Sequence, residues 1–202
     1  GKLVDSFAGC LEDYPSSEGF HDSEYYVNYT DDIYVGYRYF ETVPGAQEKI
    51  IYPFGFGLSY TKFLVKERDV QMDADGICVR AEVTNIGDCA GKEVVQLYVS
   101  APQGLLGKPA KELKAYVKTR LLQPGERQVT LYQIASYDDL GKVQASAYVL
   151  ERGDYQFWLG TSVRDVREVS AVYTVAETIV VEQLESRCAS NLLRERLRPD
   201  GT

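Results

Sequence analysis

Alternation of apolar and polar side chains is the main pattern of the chain between residues 62 and 175. Apolar residues recur at every second position in three stretches: Ile77, Val79, Ala81 and Val83; Val95, Leu97 and Val99; and Val129 and Leu131, followed by Gln133. A period of two is that of a β-strand with one face toward a core. Further strands are predicted near residues 112–118, 145–150, 155–159 and 169–175, and Tyr155 and Trp158 are predicted to add large side chains to the core.

Turn-forming residues separate these stretches at Asp75-Gly76, Ile86-Gly87-Asp88, Pro124-Gly125 and Arg152-Gly153-Asp154. Strands of this length with turns at roughly 8–12-residue spacing are typical of an all-β sandwich. We therefore predict an all-β fold for the central part of the chain.

The two ends of the chain differ from the centre. The first fifty residues are polar and rich in tyrosine, and they contain one predicted strand, Ile33 to Phe40, which would place Tyr37 and Tyr39 on the face of Ile33 and Val35. We expect this arm either to drape over the sandwich or to be partly disordered. In the tail, Ile179 and Val180 predict a strand extension, a short helix is expected after them, and Arg198-Pro199-Asp200-Gly201 predicts a turn.

The charge balance narrows the range of partners. The chain carries 30 Asp and Glu against 22 Lys and Arg, a net charge of −8, and it has no basic block. Nucleic acid and an anionic membrane are therefore poor partners. No apolar run reaches membrane-spanning length, so no membrane association is predicted.

Cysteine usage gives no sign of a metal or a redox centre. Cys10, Cys78, Cys89 and Cys188 are widely spaced and form no pair suited to zinc or thiol exchange. We predict free thiols rather than a disulfide framework, and no metal site. The sequence Asp73-Ala74-Asp75-Gly76 begins like a calcium loop but lacks the bidentate glutamate, so a hairpin turn is the better interpretation.

The most specific segment is a run of aromatics punctuated by glycine and proline: Tyr52, Pro53, Phe54, Gly55, Phe56, Gly57, Leu58, Ser59 and Tyr60. Pro53 fixes one backbone dihedral, while Gly55 and Gly57 permit conformations or close approaches that a side chain would forbid. The run resembles the junction that precedes the fibronectin type III-like sandwich in family 3 glycoside hydrolases, the β-glucosidase and β-xylosidase group. Phe56 stands where that family commonly has histidine.

Further motifs of the same family follow in the same order along the chain. They are Gly1-Lys2-Leu3, Leu11-Glu12-Asp13, Ile33 to Phe40, Val83-Thr84-Asn85, Gly91 to Pro102, Lys108-Pro109, Pro124-Gly125-Glu126 and Gly153-Asp154-Tyr155. The resemblance implies an all-β fibronectin type III/immunoglobulin-like β-sandwich at residues 61–176. Residues 1–60 would be an irregular N-terminal arm, formed by the end of an α/β sandwich domain and the junction, and residues 177–202 a C-terminal extension or linker.

The resemblance also implies a function for the longer enzyme, here called the parent. The chain would be a non-catalytic C-terminal or central fragment of a β-glucosidase that hydrolyses terminal β-glucosides, and it would brace the catalytic domains. The segments Ala135 to Asp139 and Ser146 to Leu150, with the Cys188-Ala189 tail, resemble the permuted subgroup, in which the barrel follows this region. The alternatives are a carbohydrate-binding module, the same region of a β-xylosidase, or an assembly module.

Catalytic machinery is not predicted in this chain. Retaining hydrolysis needs two carboxylates about 5–5.5 Å apart, and the family's nucleophile lies on the barrel, its acid and base on the upstream α/β sandwich domain. The adjacent pairs Asp31-Asp32 and Asp138-Asp139 point to opposite sides if extended, so turn residues are the better interpretation. His21 is interpreted as a surface residue. We expect the isolated chain to be inactive and to need no cofactor.

Tyrosine is the residue type best suited to direct sugar contact, because aromatic faces stack on pyranose rings. Tyr25, Tyr26 and Tyr29 are the candidate substrate-binding residues, whereas core packing is favoured for Tyr37 and Tyr39. Arg38 is expected to anchor a carboxylate or carbonyl of a neighbouring domain.

The expected partners are the barrel and α/β sandwich domains of the parent, the β-linked oligosaccharide substrate through the parent, and a further copy in a homo-oligomer. The loop from Pro102 to Pro109 is hypothesised to reach the active-site side. Free thiols favour a cytoplasmic parent, although the glycosylation acceptor Asn28-Tyr29-Thr30 would matter in a secreted one.

Overall fold

The structure is a computed structural model that describes residues 1–17, 19–73, 76–134, 142–144, 147–183 and 197–201. Its strands are β1 (Phe7–Ala8), β2 (Ile50–Tyr52), β3 (Phe63–Asp73), β4 (Gly76–Asn85), β5 (Val94–Ser100), β6 (Glu112–Lys118), β7 (Arg127–Ile134), β8 (Lys142–Gln144), β9 (Ala147–Leu150), β10 (Gly153–Gly160), β11 (Val166–Val175) and β12 (Ile179–Gln183). A single turn of α-helix, α1 (Tyr37–Phe40), and short 3₁₀ turns at Leu11–Asp13, Pro15–Ser17 and Ala46–Lys49 lie in the arm.

Two antiparallel sheets form the sandwich. One has the strand order β11-β10-β5-β6 and the other has the order β3-β4-β7. A third sheet, β12-β9-β8, adds the predicted strand extension of the tail, and β1-β2 is a small ribbon in the arm. The prediction of an all-β fibronectin type III-like sandwich is therefore confirmed.

The core lies between the two large sheets. One cluster of buried side chains joins their inner faces: Ile77, Val79, Ala81 and Val83 from β4; Val95, Leu97 and Val99 from β5; and Tyr155, Phe157 and Leu159 from β10. These are alternate residues along each strand, so one face of each strand is removed from water, at about 25 cal/mol per Å² of apolar surface. The inward faces predicted for β4 and β5 are confirmed.

Two predictions of which side chains face the core were wrong. Trp158 pairs with Tyr98 on the outer face of its sheet, is only half-buried, and donates from Nε1 to Ser100 Oγ at 2.8 Å. Trp158 is three positions after Tyr155, an odd offset along a strand, so the two rings point to opposite faces. In β7, Val129 is exposed, and Thr130, opposite Ala81, is buried instead. Val129 lies opposite Glu82, on the outward face of this sheet, because the strand pairs with β4 in that register.

The arm also differs from the prediction. Residues 33–40 form no strand, because Gly36 adopts φ +57° and the chain turns there into α1. Phe40, Val43 and Ala46 then form a small core of their own, with Tyr14 and Ile50 packed against it. Around Tyr37, Arg38 and Phe54 the arm lies over the outer face of the larger sheet, which is the draped arrangement of the two alternatives stated above.

Strand β5 shows what the arm does to the sandwich. Its residues from Val95 to Val99 are all buried, although a strand covered on one face alone would alternate. Gln96 and Tyr98 point away from the sandwich core and lie beneath the arm, where the Tyr98 hydroxyl donates to Gln96 Oε1 at 2.6 Å. Burial raises the pKa of the Tyr98 phenol, with smaller contributions from Tyr37 and Glu41.

Within the described residues, no helix has the length and apolarity needed to cross a lipid bilayer. Cys10, Cys78 and Cys89 carry free thiols, and Cys188 lies outside the described residues. The Asp138-Asp139 pair, the 135–139 segment and the expected helix of the tail also lie outside them.

Candidate functional site

The junction segment, residues 52–60, is held between the first residues of the chain and the sandwich. Leu3 N donates to Phe56 O at 2.8 Å, and Gly55 N donates to Leu3 O at 2.9 Å. On the other side, Val163 N, in the loop after β10, donates to Phe54 O at 3.1 Å. Because backbone hydrogen bonds fix both sides, the position of the segment does not depend on flexible side chains.

Gly55 and Gly57 are required by geometry. Gly55 adopts φ +80°, and a Cβ there would lie 2.8 Å from Ser162 Cα and 3.0 Å from Gln96 Oε1. A Cβ on Gly57 would collide with the carbonyl oxygen of Gly1. The glycines therefore allow the segment to pass directly against the sandwich and against the chain's own beginning.

The aromatic rings of the junction divide into two groups. The Phe54 ring packs 4.7 Å from Tyr37, which in turn meets Tyr98 edge-on at 6.2 Å. The Phe56 ring is half-buried, and its centre lies 5.0 Å from that of Tyr52. An aromatic contact is therefore made at the position where the family that the sequence resembles commonly has histidine. Leu58, Ser59 and Tyr60 are exposed, and Tyr60 is fully so. The first half of the run is thus a packed joint, and the second half is open surface.

Polar contacts fasten the arm to the sandwich along β6 and the loop after β10. Arg38 pairs with Glu112 at 3.1 Å, and Leu113 N donates to the Tyr37 hydroxyl at 2.9 Å. The Arg164 Nε donates to Glu41 Oε1 at 2.8 Å. The carboxylate expected to bind Arg38 is thus Glu112 of β6.

Lys111 lies at the same boundary. Its ammonium is 4.9 Å from the centre of the Trp158 ring, an arrangement that favours a cation. Burial lowers the pKa of Lys111 nonetheless, with the Glu41 carboxylate acting against that shift and Arg164 acting with it. The outward-facing Trp158 ring is therefore in contact with Lys111 and Ser100 on the outer face of its sheet rather than with the core.

The predicted sugar-contacting tyrosines are on the surface of the arm. Tyr25, Tyr26 and Tyr29 are 92%, 65% and 80% exposed. The structure does not bring them together with the junction residues, which contact the sandwich. Tyr37, by contrast, is packed, although on a helix rather than on the strand that was predicted. His21 is exposed, with its ring edge-on to Phe20 at 4.9 Å.

A fastened loop between β5 and β6 is the feature that sequence reasoning missed. Lys108 is fully buried and pairs with Glu151, while its Nζ also donates to Pro102 O at 2.7 Å. Glu151 Oε1 accepts from Leu105 N at 2.8 Å, so one buried carboxylate fixes both the lysine and the tip of the loop. A lysine in a Gly- and Leu-rich loop gave no sign of burial, because its partner is 43 residues further along the chain.

The acidic pair at residues 31–32 has an unusual environment. Asp31 is buried, its Oδ1 has no hydrogen-bond partner in the structure, and burial raises the pKa of its carboxyl. Asp32 is exposed and has φ +52°. In the described part of the chain, no group of three or more His, Cys, Asp or Glu side chains could hold a metal ion.

Comparisons with known proteins match this chain to one part of longer proteins. Residues 93–163 match the family model of the fibronectin type III-like domain. Over its whole length the chain is 54% identical to Beta-glucosidase A of Butyrivibrio fibrisolvens, and over 94% of its length it is 46% identical to a Beta-glucosidase of Ruminococcus albus. It spans 27% and 20% of those relatives.

The same result comes from solved structures. A β-glucosidase from Paenibacillus barengoltzii matches 92% of the chain with a TM-score of 0.87 and 46% identity, and this chain covers 21% of it. β-Glucosidase 3B from Thermotoga neapolitana matches 90% of the chain with a TM-score of 0.81 and 38% identity. The chain therefore corresponds to a region of larger, multidomain proteins.

Proposed function

We propose that this chain, which belongs to the family 3 glycoside hydrolases and contains their fibronectin type III-like domain, is a non-catalytic structural segment of a longer β-glucosidase. In that parent it braces the catalytic domains, and the hydrolysis of terminal β-glucosides takes place on residues outside this chain. The single observation that carries the proposal is the match of the entire chain to about a quarter of a β-glucosidase.

The packing of the arm supports a bracing role. Residues 1–60 cover the outer face of β5 and connect to the sandwich through backbone hydrogen bonds, aromatic contacts and the Arg38–Glu112 pair. A segment fastened on one side and exposed at Leu58 and Tyr60 on the other offers apolar surface to a neighbouring domain. We propose the barrel and the α/β sandwich domain of the parent as these neighbours, with residues 1–60 forming the end of the latter.

Substrate contact is a second part of the proposal. Tyr25, Tyr26 and Tyr29 present exposed rings that can stack on pyranose faces, and the loop from Pro102 to Pro109 is held rigidly enough to form a wall beside a substrate. The β-linked oligosaccharide would reach these groups only when it is bound by the parent. A homo-oligomer of the parent would use the same exposed surfaces.

A cytoplasmic parent is supported by the free thiols at Cys10, Cys78 and Cys89, since oxidising compartments favour disulfides. Fractionation of cells that produce the parent tests this point. Activity in the culture medium, with glycan on Asn28, would contradict it.

The non-catalytic role is tested by assaying the purified 202-residue chain on an aryl β-glucoside. Retaining hydrolysis needs two carboxylates about 5–5.5 Å apart across the sugar. We expect no turnover above buffer, because we place both of them outside this chain. Turnover that is lost when acidic residues of this chain are replaced by their amides would overturn the proposal.

A carbohydrate-binding module is the second candidate function, favoured by the exposed rings of Tyr25, Tyr26 and Tyr29. It predicts that the isolated chain binds cellobiose or xylo-oligosaccharides through these rings. Calorimetric titration of the wild type and of the Tyr25→Ala/Tyr26→Ala/Tyr29→Ala variant decides the point, with Tyr116→Ala on β6 as the exposed control. A β-xylosidase parent is less well supported, because the relatives named above are β-glucosidases.

A further inference from the structure

An apolar cleft lies where the first residues of the chain meet the junction segment. It has a volume of about 790 Å³. Five apolar side chains line it: Leu3, Phe7, Tyr52, Phe56 and Leu58. In the described part of the chain, Lys2 supplies the one charged side chain of this lining. A large apolar patch on the surface of a protein marks a place where another protein or domain binds.

A second, more polar cleft adjoins the first. It has a volume of about 290 Å³ and shares four lining residues with the apolar cleft. Its lining also includes Lys92, Lys118 and the fully exposed Tyr60. The two clefts together form one surface, the docking face, made of residues 1–3, 7, 52, 56–61, 90–94 and 118.

The docking face is basic, although the chain as a whole carries a net charge of −8. Its one acidic side chain among the described residues is Glu93, which is buried and pairs with Lys2 at 3.1 Å. Lys92 and Lys118 are exposed, and within the described residues neither forms an ion pair. The amino group of Gly1 is set aside, because Gly1 follows a further residue in the proposed parent. Two ammonium groups are therefore available to carboxylates of a partner.

Backbone hydrogen bonds fix the chain on which these two lysines stand. Gly91 N donates to Leu122 O at 3.0 Å, and Leu122 N donates to Gly91 O at 2.8 Å. Thr119 N donates to Glu93 O at 2.8 Å, and Glu93 N donates to Thr119 Oγ1 at 3.0 Å. The lysines are direct neighbours of these residues in the sequence, so their Cα atoms are held in place. A preorganised surface loses less conformational entropy when a partner binds.

One segment of the arm is exposed and has the opposite charge. This acidic loop, residues 20–29, contains Asp22 and Glu24 but no lysine or arginine. Within the described residues neither carboxylate forms an ion pair, and all but one residue of the loop are exposed, including Tyr25 and Tyr26. The backbone N–H groups of Asp22 and Tyr25 donate only to residues two or three positions away. The loop lines neither cleft of its own chain.

The docking face and the acidic loop are complementary in chemistry. The face offers apolar and aromatic side chains beside two unpaired ammonium groups, and the loop offers tyrosine rings beside two unpaired carboxylates. Aromatic contacts in the centre and opposite charges around them are typical of protein–protein interfaces. Every copy of the chain carries one face and one loop, so a twofold axis between two copies makes the contact twice and closes a dimer.

We propose that the docking face of one copy binds the acidic loop of a second copy. The two lysines of the face pair with the carboxylates of the loop, and the tyrosine rings of the loop pack on the apolar cleft. The inference rests on the homo-oligomer that is part of the proposed function, and it names the surfaces which that oligomer uses. Because residues 1–60 are proposed as the end of the α/β sandwich domain, the loop belongs to that domain of the second copy.

The test is sedimentation velocity of the 202-residue chain at concentrations from about 5 to about 500 μM. We expect a monomer–dimer equilibrium in about 50 mM NaCl and a weaker one in about 0.5 M NaCl, where salt screens the lysine–carboxylate contacts. Two double variants reverse the charges, Lys92→Glu/Lys118→Glu on the face and Asp22→Lys/Glu24→Lys on the loop. Each variant alone is expected to weaken dimerisation at least about tenfold.

Mixing the two charge-reversed variants is the decisive measurement. In the mixture the face of each variant meets a loop of opposite charge on the other, so an equimolar sample should regain dimers that neither variant forms alone. The loop variant also makes the chain less acidic, which reduces the general repulsion between copies. Weaker association of that variant therefore reports the loss of a specific contact rather than an effect of net charge.

Apolar substitutions test the other half of the contact. Leu58→Ser/Tyr60→Ser changes side chains that are 85% and 100% exposed, so it should leave the melting temperature unchanged and weaken dimerisation. Leu105→Ser, at a side chain that is 92% exposed and lies outside the docking face, is the matched control. The control for charge reversal is Lys66→Glu/Arg167→Glu, at two further exposed positions.

Three results would overturn the proposal: a chain that sediments as a monomer at every concentration, a dimer that Leu58→Ser/Tyr60→Ser leaves unchanged, or a mixture of charge-reversed variants that stays monomeric. The first result would leave the docking face to the other domains of the parent. The aryl β-glucoside assay on the same samples keeps the two proposals apart. An inactive monomer would contradict the docking alone, whereas an active dimer would contradict the non-catalytic role alone.

Discussion

At Gly55 the chain approaches the sandwich so closely that a single methyl group has no room. Two effects combine there, a left-handed backbone at φ +80° and a Cβ position 2.8 Å from Ser162 Cα. Gly125 has nearly the same φ, +78°, but nothing within 4 Å of its Cβ position. The two glycines therefore allow conformational strain to be separated from steric overlap.

Gly55→Ala is expected to lower the free energy of unfolding by about 3 kcal/mol, because strain of about 1–2 kcal/mol adds to overpacking. Gly125→Ala should show the strain alone, about 1 kcal/mol. Urea unfolding of both variants measures the difference. Equal losses in the two would show that the junction does not press against the sandwich.

Asp31 is the residue at which stability should respond to pH. Because burial raises the pKa of its carboxyl from 3.8, the folded chain binds this proton more tightly than the unfolded chain does. Stability is therefore lost as the pH rises from about 3.8 through the folded-state pKa. Asp31→Asn should raise the melting temperature at pH 7 and have little effect below pH 3.8.

Thermal melts of Asp31→Asn across this range of pH provide the measurement, with Asp88→Asn at an exposed position as the control. A melting temperature for Asp31→Asn below that of the wild type at pH 7 would show that the charged carboxylate is stabilised where it lies.

Among the elements, the loop between β5 and β6 depends most on a single interaction. Its buried pair, Lys108 with Glu151, joins this loop to the turn before β10. The pair Arg120 with Glu126 has the same chemistry at the surface, with 55% and 34% of the side chains exposed. The contribution of each pair to the free energy of unfolding should therefore depend on its burial rather than on the presence of opposite charges.

Lys108→Met is expected to cost about 3–5 kcal/mol, because it leaves the Glu151 carboxylate buried without a cation. Arg120→Met should cost less than about 1 kcal/mol. Adding Glu151→Gln to Lys108→Met should recover part of the loss, and chemical denaturation measures all three. A small effect of Lys108→Met would mean that water reaches Glu151.

The sequence predicted elements well where one face of a strand is buried by its own sheet pair. The alternation in β4 and the motif in β5 placed the core correctly, and the tail strand followed from Ile179 and Val180. The sequence did not predict which face of the sheet Trp158 lies on, because the arm covers the outer face of β5 and makes that face partly apolar too. The helix α1 could not be predicted for a similar reason. The chain turns into it at Gly36, and the positive φ of this residue is seen only in the folded structure.

The candidate sites also differ in how far the sequence could predict them. The junction glycines were identifiable because their spacing is unusual, whereas the docking face combines residues 7, 58 and 118, which the folded chain alone brings together. Lys92 and Lys118 are far apart along the sequence, so no local motif marked them as parts of one surface.

The molecule as a whole is proposed to be a structural segment with no bond-breaking residues of its own. The most direct measurement replaces the homologous segment of Beta-glucosidase A from Butyrivibrio fibrisolvens, 54% identical to this chain, with residues 1–202. The chimera, the intact relative and a version lacking the segment are compared for folding and for kcat/KM on an aryl β-glucoside.

We expect the chimera to fold and to retain kcat/KM within about tenfold of the intact relative, while the shortened version fails to fold or loses activity. We also expect kcat of the chimera to be unchanged by Asp31→Asn and Asp32→Asn, since neither carboxylate belongs to the catalytic pair. A shortened version that folds with full activity, or a chimera that loses kcat with either substitution, would contradict the claim.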